Sequence, residues 1–234
     1  MKPTFFLLFV IAAGTCIAFE EPLDRKARFC VLVSDNSKQT RNSFRGLLVQ
    51  RGEKKYLLHG GNHEYITGGV LICENRDGVV LEFPLDSVVD RISRKSLADY
   101  PLIAYELTAS REISKQLILC VLDDEPNGLD KSFACAILET ESLYSEGLPF
   151  VAVPVQSWGK IASNSHFGFG ESCNVVQPLP LPIYTPIVQN HHGEFRLAGI
   201  LFSELRSSER AVAGQVVLNP NTIMRLLAET NENR

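Results

Sequence analysis

Residues 179–204 read LPLPIYTPIVQNHHGEFRLAGILFSE, and this stretch predicts a β-hairpin behind a proline-rich segment. The runs PIV and FRLAGILFS are apolar and partly β-branched, and the polar QNHHGE between them contains the glycine of a turn. Prolines stand at positions 178, 180, 182 and 186. Because proline fixes φ and donates no backbone hydrogen bond, we expect the segment before the hairpin to be extended and largely unpaired.

Similar strands are predicted along the whole chain. Apolar runs separated by polar turns lie at 29–34, 43–50, 55–60, 68–73, 78–83, 102–108, 116–123, 133–139, 150–158, 186–190, 195–202 and 214–219. Their spacing of about eight to fifteen residues is typical of an all-β sandwich or barrel. Only the tail predicts a helix, in which Asn219 is a candidate N-cap, Pro220 suits the first position, and residues 223–227 are mostly apolar.

The N-terminus predicts secretion. Residues 1–18, MKPTFFLLFVIAAGTCIA, carry a lysine, an apolar run and small residues before Ala18, which is the pattern of a cleaved signal peptide. The apolar run is shorter than the ~20 residues that span a bilayer, so we expect an extracellular chain with no membrane partner. The 23 basic and 27 acidic residues are mixed along the chain, which argues against nucleic acid as a partner.

Without the signal peptide, the chain keeps an odd number of cysteines. They are Cys30, Cys73, Cys120, Cys135 and Cys173. Secretion favours disulfides, so all five are disulfide candidates, and the odd thiol either stays free or joins two chains in a covalent dimer. The spacing does not fix which cysteines pair.

Two histidine pairs raise the question of a metal site. They lie in HGGNHE (59–64) and HHGE (191–194). The glycines of HGGNHE indicate a turn, whereas two histidines that share a zinc are typically spaced on one face of a helix. The acidic DDE at 123–125 lacks the spacing of a calcium-binding loop. We therefore expect exposed turn histidines, a solvated acidic loop, and no metal or other cofactor.

Several stretches, taken in order, resemble the trypsin-like (chymotrypsin-fold) serine protease family. Those similar to its first barrel are SFRGLLVQ (43–50), GGVLI (68–72) and VVLEFPL (79–85). Those similar to its second barrel are VPVQSWGKI (153–161), residues 185–203, and VAGQVVLNPNTIMRLL (212–227). Residues 185–203 resemble the pair of strands that follows the nucleophilic serine in this family. The resemblance covers roughly residues 43–230 and implies two six-stranded Greek-key β-barrels with a C-terminal helix. It places the N-terminal barrel with its extension in 19–140, and the C-terminal barrel with the closing helix in 141–234.

The resemblance also implies that the catalytic site is lost. The position of the family's histidine falls at or next to Pro84, that of the aspartate near Ser132 or Phe133, and that of the serine at Ile183. Leu181 stands where a glycine amide would help to bind the oxyanion. Because such a hydrolase needs a nucleophile, a base and oxyanion donors within reach of one another, we expect no enzyme activity.

Two further positions have alternative interpretations. Gly199 matches the glycine of the family's substrate-binding strand, so it predicts either a residual peptide-binding strand or a packing glycine. Ser172 in GFGESCNV echoes the nucleophile motif, but Cys173 and Asn174 follow it instead of glycines. We interpret Ser172 as a loop serine.

The resemblance therefore implies a secreted, non-catalytic protease homologue that binds or regulates extracellular proteins, with active proteases or their substrates as candidate partners. Two alternatives stay open. One is a secreted β-sandwich or barrel that binds ligands and is unrelated to proteases. The other is an active hydrolase with a displaced nucleophile.

Overall fold

The structure is a computed structural model. It describes residues 27–34, 43–60, 68–97, 102–123, 132–137, 148–155, 158–160, 173–176, 179, 181–191, 194–206 and 212–228. The predicted signal peptide, Ser172 and His63 lie outside these residues, as does most of the stretch between residues 139 and 149.

Short strands dominate the first half of the chain. They are β1 (Cys30–Ser34), β2 (Ser43–Arg51), β3 (Lys54–Gly60), β4 (Val70–Glu74), β5 (Val80–Pro84), β6 (Lys95–Leu97), β7 (Leu102–Glu106) and β8 (Cys120–Val121). A 3₁₀ turn, Leu85–Ser87, follows β5, and a single helical turn, α1 (Arg111–Ser114), precedes β8. The strand predicted over 116–123 is therefore wrong in extent, because only two of its residues pair.

The second half ends in the predicted helix. Its strands are β9 (Ser132–Ile137), β10 (Phe150–Pro154), β11 (Trp158–Lys160), β12 (Cys173–Val176), β13 (Pro186–His191), β14 (Glu194–Arg206) and β15 (Val212–Leu218), and α2 (Pro220–Ala228) follows. The hairpin of β13 and β14 and the C-terminal helix are confirmed. Asn219 differs from the prediction in one detail. Its backbone carbonyl accepts the Ile223 amide (3.1 Å), whereas its buried Oδ1 has no hydrogen-bond partner among the described residues.

The strands join into one mixed sheet of 15 strands that curls into a half-barrel. In the first half, β1 pairs with β2 and β4, β2 with β3, β3 with β7, and β4 with β5. In the second half, β9 pairs with β10 and β13, β14 pairs with β13 and β15, and β15 pairs with β12. The two-residue β8 lies parallel to both β2 and β14 and connects the halves. The all-β class is confirmed, and the division into two six-stranded barrels stays a prediction.

Along several strands, including β1, β3 and β9, alternate residues are buried in different apolar clusters. Leu57 and its β7 neighbour Tyr105 lie in a cluster made only of first-half residues. Ala136 lies in a cluster made only of second-half residues. Leu58 and Ile137 lie in a third cluster, called the shared cluster here because it combines residues of both halves. Both faces of the sheet are therefore buried, which explains the continuous apolar runs in the sequence.

The C-terminal helix is held against the first half of the chain. Met224 and Leu227 pack into the shared cluster. Arg51 Nη1 donates to the Met224 carbonyl (3.1 Å), and Lys95 Nζ donates to the Leu227 carbonyl. The Leu227 carbonyl is one of the last four of the helix, which have no intrahelical donor, and cations near this end are favoured by the helix dipole.

Candidate functional site

The strand order does not place the three predicted catalytic positions side by side. Pro84 is the exposed last residue of β5, at one end of the sheet order. Ser132 and Phe133 begin β9, next to the other end, where they lie opposite β13. Ile183 lies in the turn that precedes β13. Ile183 and the start of β9 are thus near the same strand, whereas Pro84 is on a strand remote from both in sheet order.

The turn at 181–185 takes the place that the resemblance gives to the nucleophile. Leu181 is buried, and its carbonyl accepts Gln215 Nε2 at 3.3 Å. The Tyr184 amide donates to the Leu201 carbonyl, and the Thr185 carbonyl accepts the Leu201 amide. The Tyr184 amide is therefore bonded within the fold and is not directed at a ligand. Ile183 presents an apolar side chain that is 38% exposed.

Tyr184 closes this turn over the end of β3. Its φ is +68°, in the left-handed region that side-chain-bearing residues rarely adopt. Its ring lies so close to Gly60 that a Cβ on Gly60 would be 2.1 Å from Tyr184 Cδ2. Burial raises the pKa of the Tyr184 hydroxyl, so the phenol stays neutral at physiological pH. A turn of the second half therefore meets β3 of the first half through an aromatic ring placed on a glycine.

His59 is a buried strand residue, so the expectation of an exposed turn histidine is wrong at this position. It lies in β3 opposite Ile103 and is 3% exposed. Its ring stacks on Tyr105 with the centroids 5.8 Å apart, and its Nδ1 is 3.2 Å from the Gly60 carbonyl oxygen. His191, at the end of β13, is exposed as expected. Among the residues that the structure describes, no group of three or more His, Cys, Asp or Glu side chains could hold a metal ion.

Gly199 lies in the middle of the sheet. It pairs with Ile187 of β13 on one side, and β15 lies on the other. A Cβ at Gly199 would be 2.3 Å from Val217 Cγ1 and 3.0 Å from the Leu218 carbonyl oxygen. Close packing against β15 is therefore a sufficient reason for a glycine here. The peptide-binding role of Gly199 stays a prediction.

The four described cysteine side chains are free thiols, so the disulfide prediction is wrong for Cys30, Cys73, Cys120 and Cys135. All four are buried in apolar surroundings. Burial raises the pKa of the Cys73 and Cys135 thiols to about 12. Burial, and then the neighbouring Cys135, also raises the pKa of Cys30 and Cys120. The side chain of Cys173, like that of Trp158, lies outside the described residues.

These thiols are expected to be unreactive until the chain unfolds, because the thiolate is the reactive form and burial suppresses it. We expect a chain without residues 1–18 and carrying Cys173→Ser to show almost no reaction with Ellman's reagent when native. After unfolding in guanidinium without reductant, Cys30, Cys73, Cys120 and Cys135 should all titrate. Fewer titrating thiols would show that two of them are joined in a disulfide.

Comparison with known proteins found no family model that matches this chain and no similar curated protein. Within the described residues, no helix has the length and apolar character needed to cross a membrane. The function therefore has to be argued from the geometry of the turn at 181–185 and from the way the strands pair.

Proposed function

We propose that this chain is a secreted, non-catalytic homologue of the trypsin-like serine proteases, and that it acts by binding an extracellular protein. The observation that carries the proposal is the turn at 181–185. By the resemblance, Leu181 and Ile183 stand where the oxyanion donor and the nucleophile would be. An acyl-transfer site of this kind needs a nucleophile at the position of Ile183, and an isoleucine side chain carries no nucleophilic atom.

The strand pairings support a double-barrel fold. Six strands can be compared in each half: β1–β5 and β7 in the first half, and β9, β10, β12, β13, β14 and β15 in the second. When each set is numbered from one to six in chain order, the first strand pairs with the second and the fourth. The fourth strand also pairs with the fifth, and the third pairs with the sixth. In the first half, a bridge between Val89 and Leu107 adds a contact between the segment after β5 and the end of β7. These shared pairings are ones that a duplicated Greek-key barrel would have.

The division of the core supports the same fold. A closed barrel buries one set of alternate side chains in its interior and leaves the other set outside. One cluster here holds only first-half residues such as Leu48, and another holds only second-half residues such as Val217. The third cluster joins outward residues of both halves, including Val49 and Val216. Two barrel interiors and one interface between barrels would give these three clusters.

Secretion is part of the proposal and rests on residues 1–18. Free thiols are uncommon in secreted proteins, because the compartment is oxidising. Full burial of the four described thiols would protect them once the chain has folded. The proposal therefore requires that these four cysteines be buried before any two of them are oxidised to a disulfide.

The test is labelling of the chain without residues 1–18 by a fluorophosphonate probe, beside active trypsin. We expect no label on a sample that unfolds cooperatively in circular dichroism, because no activated serine is present at the turn. Stoichiometric labelling of the folded chain would contradict the proposal. Loss of that label in a Ser172→Ala variant would identify the displaced nucleophile.

A further inference from the structure

A small cavity lies where the two halves of the chain meet, beside Tyr184. The structure gives it about 10 Å³ of space for the centre of a water molecule. Residues of both halves line it, among them Cys30, Arg45, Cys135, Ile137 and Thr185. A cavity needs roughly 10–15 Å³ by this measure to hold one water, so the space suits a water molecule.

Thr185 supplies a hydroxyl at this cavity that the protein does not satisfy. Its side chain is fully buried, and Thr185 Oγ1 has no hydrogen-bond partner among the described residues. The backbone of Thr185 is satisfied, since its carbonyl accepts the Leu201 amide at 2.8 Å. A buried hydroxyl without a partner is destabilising, and native proteins usually avoid this by binding an ordered water.

The same cavity wall carries other polar atoms. Cys30 Sγ is 3.6 Å from the Cys135 carbonyl oxygen. Arg45 Nε donates to the Ile137 carbonyl oxygen at 3.0 Å. A carbonyl oxygen has two lone pairs, so each of these acceptors keeps a site for a second donor. An apolar cavity stays empty, but one with a hydroxyl and carbonyl acceptors offers the two to four partners that a buried water needs.

We propose that this cavity binds one ordered water, which hydrogen-bonds Thr185 Oγ1 and connects the turn at 181–185 to the β9 carbonyls that Cys30 and Arg45 of the first half contact. Thr185 follows Tyr184, whose ring rests on Gly60. The ring thus holds the turn against β3, and the water would hold it against β9 from the neighbouring position.

The test compares crystals and melting temperatures of the wild-type chain with Thr185→Val, which keeps the shape and removes the hydroxyl, and Thr185→Ser, which keeps the hydroxyl. We expect a solvent peak about 2.7–3.0 Å from Thr185 Oγ1 in the wild type, retained in T185S and absent in T185V. T185V should melt about 2–4 °C below the wild type, the typical response of a chain of this size to one lost hydrogen bond.

Either of two results would overturn the proposal. One is a wild-type crystal with an ordered cavity and no solvent peak within hydrogen-bond distance of Thr185 Oγ1. The other is a T185V variant that melts at or above the wild-type temperature, because removal of an unpartnered buried hydroxyl is neutral or stabilising.

Discussion

Replacement of Gly60 by alanine is expected to lower the free energy of unfolding by about 3 kcal/mol, near the upper end of what overpacking of a core usually does. The new Cβ would lie 2.1–2.6 Å from three carbon atoms of the Tyr184 ring, a separation that no relaxed structure allows. Rotation of the ring about its Cβ–Cγ bond does not relieve the clash, because Cγ itself is one of the three atoms, at 2.2 Å. The measurement is equilibrium unfolding in urea.

A second substitution shows whether Tyr184 is the cause. In a Tyr184→Gly background the ring is absent and glycine suits the positive φ, so Gly60→Ala should be nearly neutral there. The coupling between the two substitutions should therefore be about as large as the effect of G60A alone. Gly52→Ala is a control for backbone strain without a clash, since Gly52 has φ +57° and no atom within 4 Å of the added Cβ. An equal effect of G60A in both backgrounds would show that the ring does not occupy this space.

The elements with local signals were predicted from the sequence, whereas those that depend on distant partners were not. The hairpin of β13 and β14 has a polar turn between two apolar runs, and α2 has proline at its first position and an apolar stripe. In contrast, β8 exists because β2 and β14, far away in the chain, lie on either side of it. Its apolar neighbours Leu117 and Leu119 pack into the core without pairing.

The cysteines were predicted to form disulfides because residues 1–18 predict secretion, whereas the packing buries the four described thiols. Secretion favours disulfides, but a buried thiol in an apolar core behaves as a small apolar residue. Whether two cysteines can pair depends on the distance and direction of their Cβ atoms, and sequence spacing gives neither. Cys73, for example, lies in the first-half cluster, whereas Cys135 lies in the shared cluster.

The contact at the candidate site was also beyond sequence reasoning. Tyr184 and Gly60 are in different halves, and neither position carries a motif that refers to the other. The lack of a nucleophile at Ile183 could be predicted, because it depends on residue identity alone. The way in which Tyr184 closes the turn could not be predicted, because it depends on a backbone conformation that tyrosine rarely adopts.

The second large effect is expected at Glu74, a carboxylate that holds three separate segments together. Glu74 Oε1 accepts Arg28 Nε at 2.8 Å, and Oε2 accepts the Leu148 amide at 3.1 Å. Arg28 Nη1 in turn donates to the Arg76 carbonyl at 2.6 Å. The side chains of Arg28 and Glu74 are only 13% and 7% exposed. The carboxylate therefore joins the segment before β1, the end of β4 and the chain that leads into β10.

We expect Glu74→Ala to lower the free energy of unfolding by about 3–5 kcal/mol, because it leaves a nearly buried guanidinium and a buried amide without their acceptor. Glu74→Gln should have a smaller effect, since its amide oxygen can still accept from Leu148 while the charge is lost. Chemical denaturation of the three proteins at neutral pH measures both effects.

The matched control is the exposed pair of Lys54 and Glu106, whose side chains are 64% and 36% exposed at a separation of 3.4 Å. Lys54→Ala should change the free energy of unfolding by less than about 1 kcal/mol, since water screens exposed ion pairs. Arg28→Met combined with Glu74→Leu should be less destabilising than the sum of the separate alanine substitutions, because no uncompensated charge is left buried. If E74A were as mild as Lys54→Ala, the carboxylate would not be what holds these three segments together.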